Sequence, residues 1–302
     1  MNDAAAPRPK GPPVFLDYDQ AALDAAYDQA AYEPNIDQMR KRWASNSART
    51  RARIGEPLRR AYGPAGIEGL DIFRAPRADA PIFVFIHGGA WRAGTASQYS
   101  APAEMFVRAG AHFVVPDFSW VQDAPERSLL PIADQIRRAI AWTHANAASF
   151  GGDPDRLYLG GHSSGAHMAA VAVTTDWAGE FGLPPDLIKG GMVSSGMYDL
   201  APVRLSHRSS YVNFTDATVA ALSPMRHLHH LRAKLIVSYG TYETPEFQRQ
   251  ARDFAAAARD AGKQVDLLVG ENFAHMETPE TLCNPYGLLG AAVLEMMGLA
   301  PG

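Results

Sequence analysis

A single cysteine, Cys283, stands in the 302 residues of the chain, which excludes an intramolecular disulfide and fits a reducing compartment. It precedes Asn284-Pro285 in a helix-turn setting and reads as a structural thiol. No cluster of basic residues occurs and the net charge is -4, so neither nucleic acid nor an anionic membrane is an expected partner. No apolar run approaches the length needed to span a bilayer. Met1 to Pro13 is rich in alanine and proline and has no apolar core of signal-peptide length, so it reads as a disordered tail, export is not indicated and a cytoplasmic location is expected. Internal repeats and low-complexity linkers are also missing. With 47% hydrophobic and 20% charged residues, the chain has the composition of a soluble α/β protein with one large core.

Residues 1–65 are expected to be that tail followed by a mostly helical, charged extension from Leu16 to Tyr62, in which Tyr27, Tyr32 and Trp43 read as core anchors. From Ile67 the pattern alternates strands and helices, as in a mainly parallel sheet covered on both faces, over residues 66–302. Strands are expected near Gly69–Phe73, Ile82–Ile86, Ala111–Pro116, Leu157–Gly160, Ile188–Ser194, Lys234–Tyr239 and Val265–Val269. Helices are expected near Ala96–Ala109, Pro131–Ala148, Ser164–Thr175, Glu246–Ala261 and Pro279–Met297. One segment, residues 197–232, breaks the alternation and is long enough to be an insertion covering an active site. Its His227, His229 and His230 lack carboxylate or cysteine company at ligand spacing, so a solvated helix end is expected there rather than a metal site.

The chemistry starts at Gly161-His162-Ser163-Ser164-Gly165, between the apolar run Leu157 to Leu159 and the small-residue stretch Ala166 to Val173. Gly-x-Ser-x-Gly in a strand–turn–helix context is a nucleophile-elbow candidate, with the serine strained and exposed at the turn. A buried-strand pattern, Pro81 to Ile86, runs into His87-Gly88-Gly89-Ala90-Trp91. Glycines after a strand leave backbone N–H groups unobstructed, so Gly88 and Gly89, with the N–H of Ser164, are candidate donors to an oxyanion. His275 is the only histidine after residue 230 and lies in the loop beyond Val265–Val269, making it the candidate general base. The loop after Lys234–Tyr239 offers Glu243 and Glu246. Thr244-Pro245 reads as a helix cap and first-turn proline, which leaves Glu243 on the loop as the candidate acid and Glu246 as a first-turn acid favoured by the helix dipole.

His-Gly-Gly-x-Trp at 87–91, Gly-His-Ser-x-Gly-x-His at 161–167 and Gly-Thr-Tyr-Glu-Thr-Pro-Glu-Phe at 240–247 together resemble the arylformamidase (kynurenine formamidase-like) and carboxylesterase branch of the α/β-hydrolase superfamily. The helical stretch through Trp43 also fits, so the resemblance covers nearly the whole chain. It implies a Ser163, Glu243, His275 triad and an oxyanion hole at His87 to Ala90, with no cofactor. Two positions depart from the pattern: Glu243 stands where aspartate is commoner, and Asp117-Phe118-Ser119-Trp120 replaces the Tyr-Arg-Leu-type segment of related carboxylesterases. The expected substrate is a small, aromatic ester, aryl amide or formamide, with Trp91, Phe118, Trp120, His162, Tyr198 and Phe273 as candidate pocket residues. A catalytically inactive receptor or scaffold of the same fold is the alternative, and a homodimer is compatible with the chain on base rate.

Overall fold

The computed structural model describes residues 11–302; the expected disorder at 1–10 lies outside the described residues. The strands are β1 Leu58–Ala61, β2 Gly69–Phe73, β3 Ala80–Ile86, β4 His112–Pro116, β5 Gly152–His162, β6 Gly190–Ser194, β7 Lys234–Gly240 and β8 Val265–Gly270. They form one sheet in the order β1-β2-β4-β3-β5-β6-β7-β8. The β1/β2 and β2/β4 pairs are antiparallel and every pair from β4/β3 to β7/β8 is parallel. The helices are α1 Gln20–Ala26, α2 Ile36–Ile54, α3 Ala103–Arg108, α4 Leu130–Asn146, α5 Ser164–Val173, α6 Trp177–Phe181, α7 Leu200–Leu205, α8 Asp216–Ala221, α9 Pro245–Asp260 and α10 Leu288–Met296. None among the described residues is long and apolar enough to cross a membrane.

Every residue of β3 is buried, and strand periodicity divides them between two cores. Ile82, Val84 and Ile86 join the core made with α4, α5 and α9. Phe83 and Phe85 face the opposite core, with Phe106 of α3 and Leu289 and Val293 of α10. Phe83 stacks on Phe106 at 4.5 Å between ring centroids. This is the two-faced covering expected from the unbroken apolar runs.

Three expected elements differ in the structure. Leu58–Ala61, placed in the helical extension, is an edge strand whose residues are mostly exposed. It carries no apolar alternation to read; pairing with β2 and ion pairs from Arg59 to Asp71 and Asp117 hold it. The helix expected over Ala96–Ala109 is a 3-10 turn, Ala96–Tyr99, followed by α3, with Pro102 at the break. The one expected over Pro279–Met297 is likewise a 3-10 turn, Thr278–Cys283, and then α10. Pro285 and the tight approach of Gly287 to the Thr281 carbonyl separate the two.

The elbow is positioned by close backbone contact. A Cβ on Gly165 would lie 2.1 Å from the Ile86 carbonyl oxygen, and one on Gly161 would lie 2.4 Å from that of Gly165. Helix α5, all of whose residues are buried, therefore starts directly against the ends of β3 and β5. From α5, His167 accepts from Trp91 Nε1 at 3.2 Å and donates from Nε2 to the Leu222 carbonyl at 2.7 Å. Burial pushes its pKa down to about 4.

Gly165→Ala is expected to lower unfolding free energy by at least about 1–3 kcal/mol, because the backbone it meets cannot turn away; a urea midpoint equal to that of the wild type would contradict this. His167 is neutral in the fold and protonates more readily when unfolded. Its contribution is therefore complete above its ordinary pKa of about 6.5 and is lost as pH falls toward about 4, by on the order of 3 kcal/mol. His167→Gln, which keeps a donor and an acceptor but does not titrate, is expected to flatten the fall in melting temperature across that window.

Candidate active site

Ser163 sits between β5 and α5 with φ 58° and ψ −125°, in the left-handed region that non-glycine residues rarely enter. Its own N–H is tied to the Ser194 carbonyl at 3.0 Å. Ser163 Oγ lies 2.9 Å from His275 Nε2, and His275 Nδ1 lies 2.8 Å from Glu243 Oε2. The structure thus brings together one residue after β5, one after β7 and one after β8, all at carboxyl ends of parallel strands, where open α/β sheets bind ligands.

Glu243 is fully enclosed and well supplied with donors. Oε1 accepts from Ser195 Oγ at 2.6 Å and from the Gly240 N–H at 2.7 Å; Oε2 accepts from His275 and, at 3.3 Å, from Gln29 Nε2. With a carboxylate on one side, His275 carries its proton on Nδ1 and turns the Nε2 lone pair to Ser163. Ser195, like Ser163, is held at φ 58°, which aims its hydroxyl at the acid.

Glu246 is placed elsewhere. It occupies the first turn of α9, which Thr244 caps, but it is buried rather than solvated. Arg249 donates to both its oxygens at 2.8 and 2.7 Å, and the Tyr27 hydroxyl adds a third bond at 2.9 Å.

The glycine loop after β3 passes beside the serine, since a Cβ on Gly88 would lie 3.3 Å from Ser163 Cβ. Gly89 has φ +121° and faces the Ala93 carbonyl so closely that only glycine fits. The Trp91 N–H donates to Ser164 Oγ at 3.2 Å and Trp120 Nε1 to the Gly94 carbonyl at 3.0 Å. Among the described residues, no acceptor takes the N–H of Gly88, Gly89 or Ser164. His87 donates from Nδ1 to the Gly88 carbonyl at 2.9 Å and stacks on Phe118 at 4.2 Å; burial pushes its pKa down. His162 donates from Nε2 to the His275 carbonyl at 2.9 Å. Burial, and then the neighbouring His275, keep it neutral, so it steadies the histidine loop without adding charge.

A cavity of about 460 Å³ opens over Ser163 and His275. His162 lines it, but Trp91, Phe118, Trp120, Tyr198 and Phe273 do not; its aromatic wall is Tyr27, Trp43, Tyr99 and Tyr211. The reason is packing. Trp91 is buried against His167, Phe118 lies under His87, and Tyr198 stacks on Phe254 at 4.3 Å. Tyr27 and Trp43, expected as core anchors, are buried and also face the cavity, whereas Tyr32 is 44% exposed. The 197–232 segment contributes His207, Arg208 and Tyr211 to the wall. Nothing in the local sequence around Gln29, Tyr99 or Ser195 marks them as site residues; only the crossing of distant segments brings them here. His227, away from this cavity, bonds from Nε2 to the Ala220 carbonyl. Burial pushes the Cys283 thiol up to about 12, which suits an unreactive side chain.

The family described as BD-FAE matches residues 70–188. The chain is 29% identical over 244 residues to a kynurenine formamidase of Danio rerio, covering 78% of this chain and 80% of that protein. It is 31% identical over 225 residues to esterase LipQ of Mycobacterium tuberculosis, covering 67% of this chain and 52% of LipQ. Among solved structures, a putative thioesterase from Silicibacter superposes with a TM-score of 0.77 at 26% identity, over 89% of this chain and 97% of that one. The sheet order, the strand–serine–helix turn and these relatives agree: the chain belongs to the α/β-hydrolase superfamily, among relatives that include kynurenine formamidase and esterases.

Proposed function

We propose that the protein is a serine hydrolase, cytoplasmic and without a cofactor, that cleaves a carboxylic ester or an aryl amide or formamide of a small aromatic substrate through an acyl-enzyme. The observation that carries this reading is the continuous hydrogen-bonded line from Ser163 Oγ through His275 to Glu243, opening onto the cavity. His275 Nε2 takes the Ser163 proton as Oγ attacks the substrate carbonyl carbon. The N–H groups of Gly88, Gly89 and Ser164 receive the negative charge that forms on the oxygen, each such donor being worth about 10²–10³ in rate. Collapse of the tetrahedral species breaks the bond to the leaving alcohol or amine, which departs with the proton from His275. Water then repeats the cycle on the acyl-enzyme, freeing the acid and Ser163.

The aromatic wall of Tyr27, Trp43, Tyr99 and Tyr211 supports an aromatic group on the substrate. The kynurenine formamidase relative supports the formamide version and LipQ the ester version.

Ser163→Ala is expected to abolish hydrolysis while leaving the melting temperature near that of the wild type; unchanged turnover would sink the nucleophile assignment. Glu243→Ala is expected to lower kcat by about 10³–10⁴, whereas Glu246→Ala should destabilise the fold but keep most of kcat, and the reverse pattern would move the acid to Glu246. Steady-state kinetics on a short-chain aryl ester, N-formylkynurenine and an aryl amide separate the substrates. Rapid ester turnover with negligible formamide hydrolysis removes the formamidase version.

A further inference from the structure

The N-terminal segment ahead of the sheet reaches both loops that carry the acid and the base. Gln29 begins a 3-10 turn, Gln29–Ala31, capped by Asp28, whose side chain accepts from the Ala30 N–H. The Gln29 side chain is buried. Its Nε2 donates to Glu243 Oε2 at 3.3 Å, and its Oε1 accepts from the Thr244 N–H, also at 3.3 Å. Four residues on, Glu33 Oε2 accepts at 3.0 Å from the N–H of Met276, the residue after His275. The turn is itself anchored, through the Tyr27 hydroxyl on Glu246 and through Arg208 Nη2 on the Tyr27 carbonyl.

The division of donors on Glu243 matters here. Oε1 is held twice by groups at the sheet ends, Ser195 and Gly240. Oε2 is held by His275, whose charge changes during turnover, and by Gln29, whose charge does not. A carboxylate rotates easily about its last torsion, so a neutral donor on Oε2 keeps that oxygen in line while the histidine cycles.

We propose, resting on the serine-hydrolase reading above, that Gln29 is a positioning residue for the reaction. Its carboxamide spans the Glu243 carboxylate and the Thr244 backbone, and holds Oε2 toward His275 Nδ1. The N-terminal segment is on this account part of the catalytic apparatus as well as a wall of the cavity.

Two variants of the full-length protein test this, with Ser163→Ala as reference. Gln29→Ala removes both bonds and is expected to lower kcat by about tenfold to a hundredfold with KM little changed. Gln29→Glu has the same shape. Protonated, its O–H replaces the amide donor and its carbonyl still accepts from Thr244; ionised, it sets a second carboxylate against Glu243. The titratable and charged groups around the pair are His275 with His162 against it, Glu33, Asp28, Tyr27, Arg208, Tyr198 and Glu246 with its partner Arg249, and all are shared with the wild type. The ratio of kcat/KM for Gln29→Glu to that of the wild type is therefore expected to fall as pH rises. Loss of packing alone would not produce that dependence in a folded variant. Thermal melting is measured for both, and Gln29→Glu decides where Gln29→Ala does not fold. A Gln29→Ala enzyme within about twofold of the wild-type kcat, or a Gln29→Glu ratio flat with pH, overturns the role of Gln29. Turnover retained by Ser163→Ala overturns the serine-hydrolase reading instead, so the two failures are distinct.

Discussion

A buried carboxylate is the constraint on which the site is built. Removing an ionised group from water costs several kcal/mol unless hydrogen bonds replace its hydration. Glu243 recovers them from four donors in four parts of the chain: Ser195 after β6, Gly240 at the end of β7, His275 after β8 and Gln29 ahead of the sheet. Each donor fixes the end of its own segment. Satisfying this one charge therefore also brings His275 into register with Glu243, and it links the N-terminal segment to the far end of the sheet.

A second constraint acts at the other end of the same line. The serine can leave the strand with φ 58° only because Gly161 and Gly165 let α5 begin against β3 and β5. Three neutral histidines then lock the surrounding loops through backbone carbonyls. His87 takes that of Gly88, His162 that of His275 and His167 that of Leu222. None adds charge beside the dyad, because burial holds all three below their ordinary titration range. The rigid parts around Ser163 are therefore backbone and neutral rings, and the carboxylate hydrogen-bonded to His275 is that of Glu243.

The sequence is most legible where one local pattern has one structural solution. Unbroken apolar runs such as 81–86 become buried parallel strands, Gly-x-Ser-x-Gly becomes a strand–turn–helix, and Thr244-Pro245 caps α9 and leaves Glu243 ahead of it. Edges are less legible: Leu58–Ala61 carries Arg59 and Arg60 and pairs through backbone and ion pairs, so periodicity has nothing to detect. The helices expected at 96–109 and 279–297 are interrupted near Pro102 and Pro285, where continuous amphipathic spacing masks a local backbone break. Aromatic residues are the hardest to assign. Trp91 belongs to a motif and Phe118 and Tyr198 lie on connections that follow strands, yet all three rings pack inward, against His167, His87 and Phe254.

By itself the sequence determined the α/β alternation, the strand–turn–helix at Ser163, the glycine loop after β3 and the order of Ser163, Glu243 and His275 along the chain, because each depends on short-range backbone rules or on chain order. The tertiary structure alone decided which aromatic rings face the cavity, how Glu246 is spent on Arg249 and Tyr27, and that Gln29 and Ser195 meet Glu243. These depend on contacts between segments up to 219 residues apart, and such contacts are set by how the cores pack rather than by any local pattern.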